Sequence, residues 1–227
     1  CENNNVKCTV ISQLRYSDAV KKVKTAVDNG WLGKLLTGDI FMKYYRSSEY
    51  YSSSKWKGTW KMDGGGALMN QGIHGVDILQ YIMGPIKSVY AVSKTMARQI
   101  EVEDTVCALA EYKNGAIGTI QATTSVYPGF ERRMEICGDS GSIILKEDSI
   151  VFWDLLKKDI PFEVTFDAAT VNASNNPANI ANTGHVTQIS DFIDCIINDK
   201  TPFIDCHEGK KPIEIITSIY KSAQTGK

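Results

Sequence analysis

From Ile86 to Asp154 apolar and polar residues alternate in short runs. A period of two places successive side chains on opposite faces of a pleat, so this third of the chain reads as sheet and not helix. Six strands are predicted: Ile86–Met96, Asp104–Tyr112, Ala116–Val126, Glu131–Cys137, Ser142–Lys146 and Ile150–Asp154. Asn114-Gly115 separates two of them and is a strong hairpin signal, and Asp139–Gly141 marks another turn. Such short connections imply sequential neighbours in an antiparallel meander. In Ala116–Thr124, Ile117, Thr119, Gln121 and Thr123 alternate with Gly118, Ile120 and Ala122. One face is thus small and polar, either solvated or packed on a second subunit.

The flanking segments supply helices. Val6–Ser12 is a short β-branched run and reads as a strand. Ser17 caps a predicted helix to about Asn29, with Gly30 as its stop. Leu35–Tyr45 reads as a strand, and Arg46–Asp63 as irregular chain. A helix follows over Ala67–Met83, ended by Gly84-Pro85. Phe162–Asn182 reads as a long loop, and two helices, about His185–Asn198 and Gly209–Gln224, close the chain. The fold class is α+β: an open, mainly antiparallel sheet with helices on one face.

Composition narrows the function classes. Net charge is −1 with 22% charged residues, which advertises no nucleic-acid footprint and no membrane-surface patch. No apolar run reaches the roughly 18–20 residues of a spanning helix, and the polar start is unlike a signal peptide. Cys1, Cys8, Cys107, Cys137, Cys195 and Cys206 are scattered without ligand-like spacing. Free thiols in a reducing cytoplasm and no metal site are the expectation. The chain has no initiator Met and starts abruptly, which reads as a fragment.

Chemistry concentrates in residues 64–77, Gly-Gly-Gly-Ala-Leu-Met-Asn-Gln-Gly-Ile-His-Gly-Val-Asp. Three glycines let the backbone approach a ligand closely or take torsions closed to other residues. On a continuous helix Asn70, His74 and Asp77, spaced i, i+4 and i+7, would lie near one face. His74 suits proton transfer near neutral pH. The competing readings are a turn for the glycines and a structural histidine.

These residues resemble the Gfo/Idh/MocA oxidoreductases, the glucose–fructose oxidoreductase and inositol dehydrogenase family, and specifically their C-terminal part. Gly64–Asp77 resembles the family signature Gly-Gly-Gly-x-x-x-Asp-x-x-x-His-x-x-Asp, and Trp56-Lys57-Gly58-Thr59 its Trp-Arg segment. Gln13–Tyr16 and Asn29–Lys34 resemble the last strand and helix of its Rossmann domain. Gly184-His185 through Phe192 and Glu208-Gly209 through Ala223 resemble its closing helices. The resemblance implies that 1–33 is a remnant of a Rossmann α/β dinucleotide-binding domain and 34–227 the C-terminal substrate-binding domain. Three departures stand out. The fingerprint Gly-x-Gly-x-x-Gly and the Glu-Lys-Pro motif, with its catalytic Lys, have no counterpart here. Asn70 replaces Asp, an amide that bonds a sugar hydroxyl but holds no charge. Lys57 replaces Arg and loses the bidentate fork.

What the resemblance implies is an NAD(P)-dependent enzyme transferring hydride between nicotinamide and a sugar, nucleotide-sugar or cyclitol hydroxyl. His74 would be the base, and Asn70 would orient the hydroxyl or the imidazole. Asp77, Tyr45 and His185 would meet substrate. Trp56, Lys57, Arg15, Gly65 and Gly66 would meet NAD or NADP. Packing competes as an account of Tyr45 and Trp56, and a salt bridge or cap as an account of Asp77. The Asn-Gln-x-x-His variant points to nucleotide-linked or acidic sugars. This chain alone is expected to bind no dinucleotide tightly and to be inactive, because the phosphate-cradling helix start is missing. A homo-oligomer through the sheet face is expected. Two alternatives remain open: an NAD-dependent glycosidase on the same scaffold, and a non-enzymatic ligand-sensing relative.

Overall fold

The computed structural model describes residues 1–166 and 183–227. Seven strands form one mixed sheet: β1 Leu35–Lys43, β2 Ile86–Lys94, β3 Thr105–Tyr112, β4 Ile117–Thr123, β5 Arg133–Gly138, β6 Gly141–Lys146 and β7 Ser149–Leu155. Their spatial order is β2-β3-β4-β1-β5-β6-β7. Each predicted strand of the 86–154 region is present, and the alternation does set the faces. Val106, Ala108 and Ala110 are buried on β3 while Cys107 and Leu109 face out. The meander is nevertheless split. β1 enters between β4 and β5, parallel to β4 with Ile40 opposite Ile120, and antiparallel to β5 with Ile40 opposite Met134. Its buried residues Ile40 and Met42 occupy the middle of the sheet.

Five α-helices accompany the sheet: α1 Asp18–Asp28, α2 Ser48–Ser52, α3 Ile73–Met83, α4 Thr183–Ile197 and α5 Cys206–Thr225. Ser17 caps α1 by accepting a hydrogen bond from Val20 N at 3.2 Å. The α1 residues Val20, Val23 and Ala26 are fully buried. α3 lies against β1, α5 against β2 and α3. Gly75 is the contact point of α3: a Cβ there would sit 2.3 Å from Met42 Sδ. The core formed by α3, α5 and the inner sheet face includes Val76, Leu79, Ile82, Ile216, Ile219, Ile136 and Leu145, each 2% exposed or less. Burial of this kind, at about 25 cal/mol per Å² of apolar surface, drives the layering. No helix among the described residues is long and apolar enough to cross a membrane.

Three expectations need correction. Val6–Ser12 forms no regular element and pairs with no strand among the described residues. Thr9 Oγ1 and Val10 N instead donate to Ile204 O at 2.7 and 3.2 Å, and Gln188 takes up Ser12 N and Val10 O. The single helix over Ala67–Met83 is two pieces: a π-helical turn, Ala67–Gln71, then α3 after a break at Gly72. The irregular stretch 46–63 contains α2, capped by Ser47. Most of the predicted loop Phe162–Asn182 lies outside the described residues. Its described start tucks Phe162 between Trp31 and Trp153.

Candidate functional site

The glycine block is held from beneath by one buried carboxylate. Glu103, 4% exposed, accepts hydrogen bonds from Gly66 N and Leu68 N at 2.9 Å and from Tyr220 Oη at 2.9 Å, while its carbonyl accepts from Ala67 N at 3.0 Å. Burial pushes the Glu103 carboxyl above the usual range, and these donors oppose that shift. The approach is so close that a Cβ on Gly66 would lie 1.8 Å from the Glu103 carbonyl oxygen, and one on Gly65 would lie 2.4 Å from Tyr220 Oη. Both glycines are buried. Their lack of side chain therefore serves this internal clamp, where the sequence suggested room for nicotinamide.

The π turn changes which side chains share a face. Asn70 turns to Asp63, donating Nδ2 to Oδ1 at 2.6 Å, and Asp63 in turn accepts Gly58 N at 2.8 Å. Asp77 points into the protein. Its two oxygens are taken bidentately by Arg15 Nε and Nη2 at 2.9 and 2.6 Å, with the side chains 1% and 2% exposed. Arg15 also donates Nη1 to Glu208 at 2.9 Å and lies 4.7 Å from the Tyr81 ring centre. Asp77 and Arg15, candidates for substrate and cofactor contact, thus lock α3 to the Gln13–Tyr16 turn and to α5. A buried, satisfied pair of this geometry leaves neither group free for a ligand.

His74 is half-buried. Burial lowers its pKa below the ordinary histidine value; the Arg132 charge and His185 lower it further, and Asp77 opposes them. The imidazole is therefore neutral at neutral pH and able to take a proton. His185 sits in the first turn of α4 with its Nδ1 sealed from solvent and without a hydrogen-bond partner among the described residues. The same holds for Gln13 Oε1, whose backbone lies 2.9 Å from where a Gly184 Cβ would be. His185 and Arg132 both bear electrostatically on His74, and Gln13 lies against Gly184 at the start of α4. Arg132 immediately precedes β5 and holds Asp148 at 3.0 Å and Glu147 at 3.5 Å. Nothing local in the sequence around Arg132 announces its electrostatic effect on His74.

The remaining candidates form a second group. Trp56 is 43% exposed. Lys57 Nζ contacts Ser53 Oγ at 3.0 Å and Tyr50 O at 3.3 Å, and lies 4.0 Å from the Tyr50 ring centre. Tyr45 stacks edge-on against Tyr127 at 5.2 Å, with Arg98 5.3 Å from its ring centre. Asp104 fixes the neighbouring 96–98 backbone. Burial works against its charge, but amide donors from Ala97, Met96 and Arg98 prevail and hold its carboxyl below the usual range. The cysteines, expected to be scattered, are not all so: the sulfurs of Cys1, Cys8 and Cys206 lie within 4.8 Å of one another.

A sequence model of the GFO/IDH/MocA C-terminal domain matches residues 20–144, more than half of the chain. The chain belongs to the GFO/IDH/MocA family. Among solved members of the GFO/IDH/MocA fold, the WlbA dehydrogenase from Bordetella pertussis, in complex with NADH and UDP-GlcNAcA, is 31% identical with a TM-score of 0.85, covering 100% of this chain and 64% of that one. The WlbA dehydrogenase from Chromobacterium violaceum, in complex with the same two ligands, is 29% identical with a TM-score of 0.84, covering 100% and 63%. The myo-inositol 2-dehydrogenase of Thermotoga maritima is 27% identical over 157 residues, 62% of this chain and 42% of that protein. This chain spans between 37% and 63% of the length of such curated relatives.

Proposed function

We propose that this chain is the substrate-binding part of an NAD-dependent dehydrogenase acting on a hydroxyl of a nucleotide-linked or acidic sugar, with His74 as the base. The feature that carries the reading is the half-buried His74, whose pKa is lowered first by burial and then by the Arg132 charge. Hydride loss from an alcohol carbon requires removal of the hydroxyl proton, and a neutral imidazole accepts it at a ring nitrogen. The Arg132 charge holds the imidazole neutral beforehand and favours release of the proton afterwards. Asn70 orients the hydroxyl, with its amide held by Asp63. Bound nicotinamide supplies the hydride acceptor. Trp56 and Lys57 are the residues here that fit its contact, because the indole is exposed and the ammonium lies next to it. Gly65, Gly66 and Arg15 do not fit, being taken up internally. NADP is the alternative cofactor.

Residues 1–33 read as the end of a dinucleotide-binding domain. The exposed apolar side chains of Val6, Val10 and Ile11 support this, since they offer apolar surface for further chain to cover. A homo-oligomer through the open sheet face is supported by exposed Tyr90, Leu109 and Ile117 around a groove of about 350 Å³. The free thiols suit a reducing cytoplasm.

The test uses the complete polypeptide, NAD and a panel of UDP-linked uronic sugars, free sugars and inositols, with nicotinamide absorbance as readout. The expected result is turnover of UDP-linked acid sugars that falls roughly 10²–10⁴-fold in His74→Ala. Turnover within about 3-fold of wild type would refute the base assignment, and activity confined to inositols would refute the substrate class.

A further inference from the structure

Three of the six cysteines meet on the far side of the turn that joins α4 to α5. Cys8 lies in the N-terminal segment, Cys1 opens the short 3-10 turn before it, and Cys206 is the first residue of α5. Separate contacts bring them together. Thr9 and Val10 hydrogen-bond Ile204 O, which sets residue 8 beside residue 206. Gly209 lacks the side chain that would strike Val10, at 2.3 Å from its Cγ2. Val6 N donates to Cys1 O at 3.2 Å, folding the first residues back, and His207 Nε2 lies 3.4 Å from Glu2 Oε1.

We infer that Cys1, Cys8 and Cys206 form a binding site for a thiophilic divalent cation of the zinc class, stapling the N-terminal segment to the start of α5. Their sulfurs, all within 4.8 Å of one another, surround a common point. Zinc–sulfur bonds of about 2.3 Å in a tetrahedron put thiolates ~3.8 Å apart, so closure needs shifts of an ångström or less. Two of the three side chains are exposed, which leaves an entry path. All three donors are soft, which selects zinc over calcium or magnesium. Three protein ligands leave a fourth position for water or for His207, the next residue along α5. Neither His74 nor the Arg15–Asp77 pair takes part, so this site stands or falls independently of the proposed dehydrogenase chemistry.

The experiment titrates the reduced 227-residue chain with Zn²⁺ and, separately, with Co²⁺, whose thiolate charge-transfer band reports sulfur ligation. Native mass spectrometry counts the bound ion. One zinc per chain is expected, with the cobalt band present. Both should be lost in Cys8→Ser and in Cys206→Ser and kept in Cys107→Ser, an exposed thiol on β3. Circular dichroism verifies that each variant is folded. Absence of stoichiometric zinc binding by the reduced chain, a Cys8–Cys206 disulfide that forms while the reduced thiols bind no metal, or equal binding by Cys206→Ser and wild type would each overturn the inference.

Discussion

Asp77→Ala separates the structural reading of the signature block from a ligand-contact reading. The carboxylate is 2% exposed and carries two hydrogen bonds from Arg15, itself 1% exposed. Removing one member of a buried pair leaves the other charge stranded, which costs about 3–5 kcal/mol. Arg15 keeps Glu208 at 2.9 Å, a partner 30% exposed, and the Tyr81 ring, so the expected loss is near the lower end, about 3 kcal/mol. For a domain of this size that lowers Tm by roughly 6–12 °C. Asp77→Asn retains the shape and one acceptor and should lose about 2 kcal/mol. The double variant Arg15→Met/Asp77→Leu removes both charges together and should recover most of the loss, because the strandedness disappears. Thermal and urea unfolding of wild type and the three variants measure these losses. A Tm for Asp77→Ala within about 2 °C of wild type would refute the argument. That outcome would mean that the carboxylate faces ligand or solvent and not Arg15.

Other consequences follow from the same geometry. Gly66→Ala places a methyl 1.8 Å from the Glu103 carbonyl, so backbone must move; a loss of about 2 kcal/mol or more in chemical denaturation is expected. Tyr112→Phe deletes the buried hydroxyl that donates to Gly38 O at 2.9 Å, and should lower stability by about 1 kcal/mol with no change in secondary structure by circular dichroism. The His74 pKa is lower folded than unfolded, so the unfolded chain binds the extra proton. Stability should be fully present above about pH 6.5 and decline as pH falls below it, until the folded value is passed; His74→Gln should flatten that part of the urea-midpoint profile.

Features written in local pattern were legible in the sequence. Ser17 announces α1 because a cap is a contact three residues long, and Asn114-Gly115 announces the β3–β4 hairpin because its backbone demands are met by those two residues alone. Alternation in 116–124 separated Ile117, which is exposed, from Ile120 and Ala122, which are buried. The rest depended on partners far along the chain. Arg15 and Asp77 are 62 positions apart, and no periodicity in either segment reports the other. The helical reading of Ala67–Met83 missed the π turn, since Glu103 and Tyr220, which hold its start, lie on other elements. Val6–Ser12 has the composition of a strand, but its backbone groups are taken by Ile204 and Gln188, which lie far along the chain. Cys1, Cys8 and Cys206 looked scattered because the approach of residue 8 to residue 206 rests on the contact of Thr9 and Val10 with Ile204.

β1 has a consequence for how the sheet is assembled. β2-β3-β4 and β5-β6-β7 are each joined by short connections and can form from nearby residues, but neither reaches the other except through β1. Residues 35–43 must find partners at 117–123 and 133–138, so the pairing that unites the two halves closes the longest loops in the sheet. Loop closure of that length is entropically the slowest step available. The two halves should therefore gain their own order first, with amide protection on β1 arriving last in refolding. In the native protein those same amides should be among the last to exchange, because opening the centre means undoing both halves at once.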